Sequence, residues 1–165
     1  MSKDGTMTIL FYGIGGQGVL SAAEICARAA IEDGYHVKKS EVKGMAQRGG
    51  SVEAYVRFGK KVHSPLPERG HVDLLACLYE SEYERLRSEL KKGGYDLFPY
   101  LKKARAAVGD KKIFLNTYIL GIVSSLLPVR ESSWITAMER TFKRNFEQNR
   151  QYFLQGREAG ARNDL

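Results

Sequence analysis

Thr8-Ile9-Leu10-Phe11-Tyr12-Gly13-Ile14-Gly15-Gly16-Gln17-Gly18-Val19 is the stretch from which the rest of the chain is read. Thr8 to Tyr12 is short, apolar and rich in aromatic and branched side chains, as suits a strand buried on both faces of a parallel sheet. Glycines follow at once, in a GxGxxG spacing from Gly13 to Gly18. The period then changes. Val19, Ala22, Ala23, Cys26, Ala29 and Ala30 fall on one helical stripe, with Glu24, Arg28 and Glu32 off it. The helix is expected to run from Val19 to about Asp33 and to end at Gly34. A strand, a glycine turn and a helix in that order make an anion seat, because glycines permit the sharp bend and leave backbone N–H groups approachable at the positive helix end. Gly13, Gly15, Gly16, Gln17 and Gly18 are therefore candidate ligand-cleft residues. The plainer reading is that the glycines only allow tight packing of strand on helix.

Working outward, Tyr35 to Ser40 reads as a second strand, so that Thr8 to Ser40 forms one right-handed βαβ unit. Glu41 to Gly50 is a loop. Gly44-Met45-Ala46-Gln47-Arg48-Gly49-Gly50-Ser51 combines flexible backbone with an arginine fork, an amide and a hydroxyl. These are donors for a carboxylate or phosphate. A solvated loop is the ordinary reading, but the position at a strand's carboxyl end, beside the glycine turn, is where open α/β sheets bind ligands. Next, Val52, Ala54, Val56 and Phe58 alternate with Ser51, Glu53, Tyr55 and Arg57, the pattern of a half-buried strand. Gly59-Lys60-Lys61 is expected to turn a hairpin into Val62-His63-Ser64. Further expectations are a strand over 72–78, a helix from Ser81 to Lys92 stopped by Gly93-Gly94, and a short helix within 95–109. A strand over 112–116, a helix over 117–127 before Pro128, and one last helix capped by Ser132 or Ser133 complete the pattern. The tail after Gly156 is expected to fray. Residues 1–165 make a single Rossmann-like, three-layer α/β domain, with a mostly parallel sheet and an inserted β-hairpin.

Composition excludes several function classes. At 43% hydrophobic and 27% charged, the chain resembles an ordinary globular domain. It has no apolar run of transmembrane length and no apolar signal core, so no membrane partner and a cytoplasmic location are expected. Its two cysteines, Cys26 and Cys77, lie in apolar stretches away from any CxxC. An iron–sulfur cluster or a structural zinc needs about four ligands, so this chain holds neither alone. The net charge of +7 favours anionic partners, but the basic residues are dispersed and not interleaved with aromatics, so nucleic acid is not expected. His36, His63 and His71 have no metal spacing, and neither GxSxG nor a Walker motif occurs. Glu80, Glu82 and Glu84 read as a solvated helix start. A dinucleotide site would place an acidic residue about 20 residues past the glycines. Lys38-Lys39 stand there instead, which leaves a free-standing NADP- or phosphate-ligand-binding Rossmann-like protein as the alternative.

Taken together, GxGGQGV at the glycine turn, SEVxGMAQRGGSV over 40–52 and VRFG…SP over 56–65 resemble the gamma-type domain of 2-oxoacid:ferredoxin oxidoreductases, nearest to the small subunit of the indolepyruvate type. Val72-Asp73-Leu74-Leu75-Ala76, Asn116…Leu120-Gly121 and Asn149…Phe153…Gly156 fit the same family. The resemblance implies an enzyme that converts a 2-oxoacid and CoA, its co-substrate, to acyl-CoA and carbon dioxide while reducing ferredoxin. It also implies that thiamine diphosphate, its magnesium and the iron–sulfur clusters sit in a large partner (alpha) subunit, and that this chain binds no cofactor alone. Gly13, Gly15, Gly16 and Gly18 would then shape the turn at the sheet edge. Glu41, Met45, Gln47, Arg48, Gly49, Gly50 and Ser51 would face the partner or the substrate cleft. In one respect the chain departs from the family: residues 95–110 are shorter than usual, which implies a missing edge strand.

Overall fold

The computed structural model describes residues 5–43 and 50–162. The elements in order are β1 (Met7–Ile14), α1 (Val19–Glu32), β2 (His36–Lys43), β3 (Ser51–Gly59), β4 (Val72–Cys77), α2 (Tyr83–Leu86), β5 (Leu90–Asp96), α3 (Leu101–Val108), α4 (Leu115–Ser125), α5 (Glu131–Thr141) and α6 (Phe146–Ala161).

β1 sits in the middle of a five-stranded sheet of order β2-β3-β1-β4-β5, with Ile9 to Tyr12 fully buried on both faces. It pairs parallel with β4, and β4 pairs parallel with β5. On its other side β3 runs antiparallel to both β1 and β2. The inserted hairpin is therefore β2–β3, with Lys43 opposite Val52, and not the expected turn at Gly59. Residues past Gly59 form no strand; Val62 donates its N–H to His36 Nδ1 (2.9 Å), and Arg57 Nη1 donates to the carbonyls of Ser64 and Leu66. The polar-looking face of β3 is buried as well: Glu53 and Tyr55 are 7% and 8% exposed. Arg85 salt-bridges Glu53 there.

α1 packs across β1, β2 and β3, and α5 packs on α1. Its end is a Schellman motif: Gly34, at φ +92°, donates to the Ile31 carbonyl (2.9 Å), and Tyr35 to the Ala30 carbonyl (2.9 Å). Asp33 then joins α5, accepting from Arg130 Nε (2.6 Å) and Ser133 Oγ (2.8 Å). Ser133 thus lies inside α5 and bridges two helices instead of capping one.

Further expectations are corrected. The charged stretch 81–92 is one α-helical turn between two 3-10 turns, and it gives way to β5 at Leu90. Gly93 (φ +78°) and Gly94 are not a helix stop; they lie in β5, whose pairing with β4 shifts register between Val72 and Leu74. β5 is itself an edge strand of the sheet. Residues 112–116 form a 3-10 turn and the start of α4, since this apolar run continues into a helix buried on nearly every side, a case periodicity alone cannot settle. The single last helix is two, α5 and α6, with Asn145 in the left-handed region (φ 57°) at the break. The tail beyond Gly156 is not frayed: α6 continues to Ala161, and Gly160 is buried.

α4 and α6 make the closest helix pair. A Cβ on Gly121 would run into the Phe153 carbonyl, and one on Gly156 into the Tyr118 carbonyl. Among the described residues no helix is long and apolar enough to cross a membrane.

Candidate functional site

The carboxyl ends of β1 and β4 share one rim because the strands are parallel. The glycine turn leaves β1 there, and Tyr79-Glu80 follow β4. Between them lies a cleft of about 700 Å³. One wall is Gly16, Gln17 and Gly18; the other holds Tyr79, Glu80 and residues of α3 and the entry to α4, namely Arg105, Val108, Gly109, Lys112, Ile113, Leu115 and Asn116. Its size is that of a small-molecule site.

The glycines divide by role. A Cβ on Gly13 would stand 2.7 Å from Gln17 Oε1 and 2.9 Å from Val19 Cγ2, so this glycine serves packing, as the plainer reading held. Gly16 has φ +88° and open space where a Cβ would point, and it lines the cleft. Gly18 has φ +79°, starts α1 and lies against the Asn116 amide, which donates to its carbonyl (3.3 Å). Gln17 staples the turn by accepting from the Ile14 N–H (3.0 Å). Gly15 spends its N–H on the Gly50 carbonyl (2.9 Å). α1 has no side-chain cap, so its first-turn amides lie at the turn unshielded by a capping side chain.

That Gly15–Gly50 bond joins the two sequence motifs. Ser51 heads β3 directly opposite Ile14, so the loop of the β2–β3 hairpin ends beside the glycine turn. Glu41 stays on β2, its carboxylate 3.1 Å from Lys39 Nζ. Gly44, Met45, Gln47, Arg48 and Gly49 lie outside the described residues.

The far wall was not singled out from the sequence. Arg105 forks onto Glu80, with Nη1 to Oε1 at 3.1 Å and Nη2 to Oε2 at 2.6 Å, and its guanidinium carbon lies 5.9 Å from the Tyr79 ring centre. The guanidinium holds the Glu80 carboxyl below its ordinary range. Behind Asn116, the Thr117 hydroxyl lies 3.3 Å from Asn116 Oδ1 and donates to Asn149 Oδ1 (2.6 Å), and Asn149 Nδ2 donates to the Asn145 carbonyl (3.0 Å). One signal was available, since Tyr79-Glu80 directly follow an expected strand, the place where open sheets bind ligands.

The geometry does not support the nicotinamide alternative. β3 stands between β1 and β2, so Lys38 and Lys39 are not on the strand beside the glycine turn. Lys39 is paired with Glu24 (2.5 Å) and Glu41, and Lys38 donates to the His63 carbonyl. Nor do the described residues suit an iron–sulfur cluster: both cysteines are buried, and no three His, Cys, Asp or Glu side chains are grouped to hold a metal.

The family model for pyruvate ferredoxin/flavodoxin oxidoreductases matches residues 8–159. The chain belongs to that family. Over 86 residues it is 45% identical to the indolepyruvate oxidoreductase subunit IorB of Thermococcus kodakarensis, an alignment covering 52% of this chain and 43% of that protein. The chain thus spans less than half the length of that curated relative. It is 34% identical to the pyruvate synthase subunit PorC of Methanothermobacter marburgensis over 109 residues, 66% of this chain and 53% of PorC. The solved keto/oxoacid ferredoxin oxidoreductase gamma subunit from Geobacter sulfurreducens superposes with a TM-score of 0.72 at 26% identity, covering 94% of this chain and 97% of that one. The α/β fold with its mixed sheet is thus the family's gamma-subunit fold.

Proposed function

We propose that this chain is the small subunit of a thiamine-dependent 2-oxoacid:ferredoxin oxidoreductase acting on indolepyruvate or another aryl-pyruvate. It completes the active-site cleft of a large subunit that carries thiamine diphosphate, magnesium and the iron–sulfur clusters. CoA is the co-substrate and ferredoxin the electron acceptor. The supporting observation is the cleft itself: two loops tied together by the Gly15–Gly50 bond at one rim, walled by the glycine turn, an arginine paired with a glutamate, and an amide, with no metal-ligand cluster among the described residues. Such a rim can orient an anionic substrate but supplies no electron carrier. Identity is higher to the IorB relative than to the PorC one, which supports the aryl-pyruvate type.

In this role the described residues bind and orient. The glycine turn fixes where backbone donors point, Asn116 braces that turn, and Arg105 is balanced by Glu80. The test is co-expression with a large thiamine-binding subunit of the indolepyruvate type. A stable complex that reduces a viologen dye with indolepyruvate and CoA, and does so faster than with pyruvate, is the expected result. A chain that elutes apart from that subunit refutes the assignment.

A further inference from the structure

We propose that the exposed lip of the cleft, residues 102–113, is the seat of the large subunit, and that it receives an acidic face with an apolar recess for Ile113. The proposal rests on the two-subunit reading above and names its docking surface.

Ile113 is 72% exposed, against 58% for Ile31 and about 49% for Val42, Leu66 and Tyr95, the other exposed large apolar side chains among the described residues. A lone surface isoleucine needs no explanation. The setting of this one does. It borders the cleft, and residues 101–113 hold five basic residues and one acidic residue, Asp110. Arg105 turns inward to Glu80, while Lys102, Lys111 and Lys112 are exposed. Between the lysines, Ala106, Ala107 and Gly109 are exposed too, leaving a surface of methyl groups and backbone that a partner can approach closely. An exposed apolar side chain with polar, charged residues beside it suits an interface core and its polar rim.

The charge decides the occupant. A second copy would set cationic lip against cationic lip, a costly juxtaposition. Nucleic acid would suit the lysines but not an exposed isoleucine, and the one aromatic ring among the cleft-lining residues, Tyr79, lies beside the Arg105 guanidinium. Two lysines past the end of α3 also offset its helix dipole, but that role asks for no exposed isoleucine.

The experiment measures association of the full chain with the purified large subunit by titration calorimetry, at about 50 mM and 500 mM salt. The variants are Ile113→Glu, the pair Lys111→Glu/Lys112→Glu, and Ile31→Glu as control. Ile31 is also exposed but lies ~18 Å along α1 from the cleft. Ile113→Glu and the lysine pair should each weaken binding about tenfold or more, in line with loss of an interface anchor. Salt should weaken the wild-type complex more than the lysine-pair complex. Ile31→Glu should bind like wild type, and circular dichroism should show all variants folded. If wild type associates and the lip variants match it, the lip is not the seat, although the two-subunit reading stands. If wild type does not associate, both fall. Lip-dependent binding to a 20-base-pair DNA duplex, or lip-dependent self-association of the chain, overturns the proposal in favour of those occupants.

Discussion

Gly16 and Gly18 share a left-handed backbone yet differ in what surrounds them, so they separate strain from packing. Alanine at Gly16 meets open space and bears only the conformational penalty, about 1–2 kcal/mol. Alanine at Gly18 bears the same penalty and collides with the Asn116 amide, raising the loss to about 3 kcal/mol. Thermal melting should therefore rank wild type above Gly16→Ala, and Gly16→Ala above Gly18→Ala. Equal melting temperatures for the two variants would show that Asn116 yields freely. Glu24 contributes to the pH dependence of stability. Its carboxyl is held below its ordinary value by hydrogen bonds from Lys39 first and Arg28 second. A depressed carboxyl stabilises the fold above its unfolded-state pKa, and that contribution fades as the pH drops through the folded-state value. Glu24→Gln should be less stable than wild type at pH 7 by urea titration, and the gap should close below about pH 4. A gap that persists in acid would mean that side-chain shape, not charge, is responsible. Sequence reading reached the glycines but not this pairing, because Lys39 and Glu24 are brought together by the packing of α1 on β2.

At the level of elements, α4 and α6 touch through glycine. Gly156→Ala drives a methyl into the Tyr118 carbonyl, and Gly121→Ala drives one into the Phe153 carbonyl. Each should cost about 3 kcal/mol in chemical denaturation, the upper end for overpacking a tight contact. Additive losses in the double variant would count against a shared contact, since neighbouring sites couple. The spacing Asn149…Phe153…Gly156 was visible in the sequence as a family trait, and the structure gives each residue a reason: a bond to Thr117, a carbonyl against Gly121, and room for Tyr118. Elements with a clean period were legible, such as α1, which opens at Val19 as expected. The misread elements were those where local pattern and tertiary setting disagree. Residues 81–92 have helical charge spacing, but Arg85 binds Glu53 on β3 and Tyr83 donates to Asp96 (2.5 Å), which ties the segment to the sheet in short turns. Lys112 to Asn116 has strand-like composition, but Phe114 and Leu115 are buried at the start of a buried helix while Ile113 faces solvent.

For the molecule as a whole, the cysteines report on global opening. Cys26 on α1 and Cys77 at the end of β4 are both buried, and burial pushes the Cys77 thiol up to about 11 and raises Cys26 further. Neither should react with a disulfide reagent at pH 8 in the native state, and both should react together on unfolding. Reaction of one thiol under native conditions would reveal a local opening instead. The candidate site divides by contact distance. Its glycine turn and the Gly50-Ser51 end of the second motif were legible because both follow or precede strands in sequence. Arg105 and Lys112 were not, because the chain carries them to the rim only through α3 and the entry to α4. The order of the strands also bears on how the chain comes off the ribosome. The N-terminal strand is the central one, so β3, β4 and β5 can add to its two sides as they emerge. α6 comes last, and until it docks, the glycine-bearing side of α4 has no cover. A chain released after residue 145 would therefore leave that side of α4 bare, and it should aggregate more readily than the full chain.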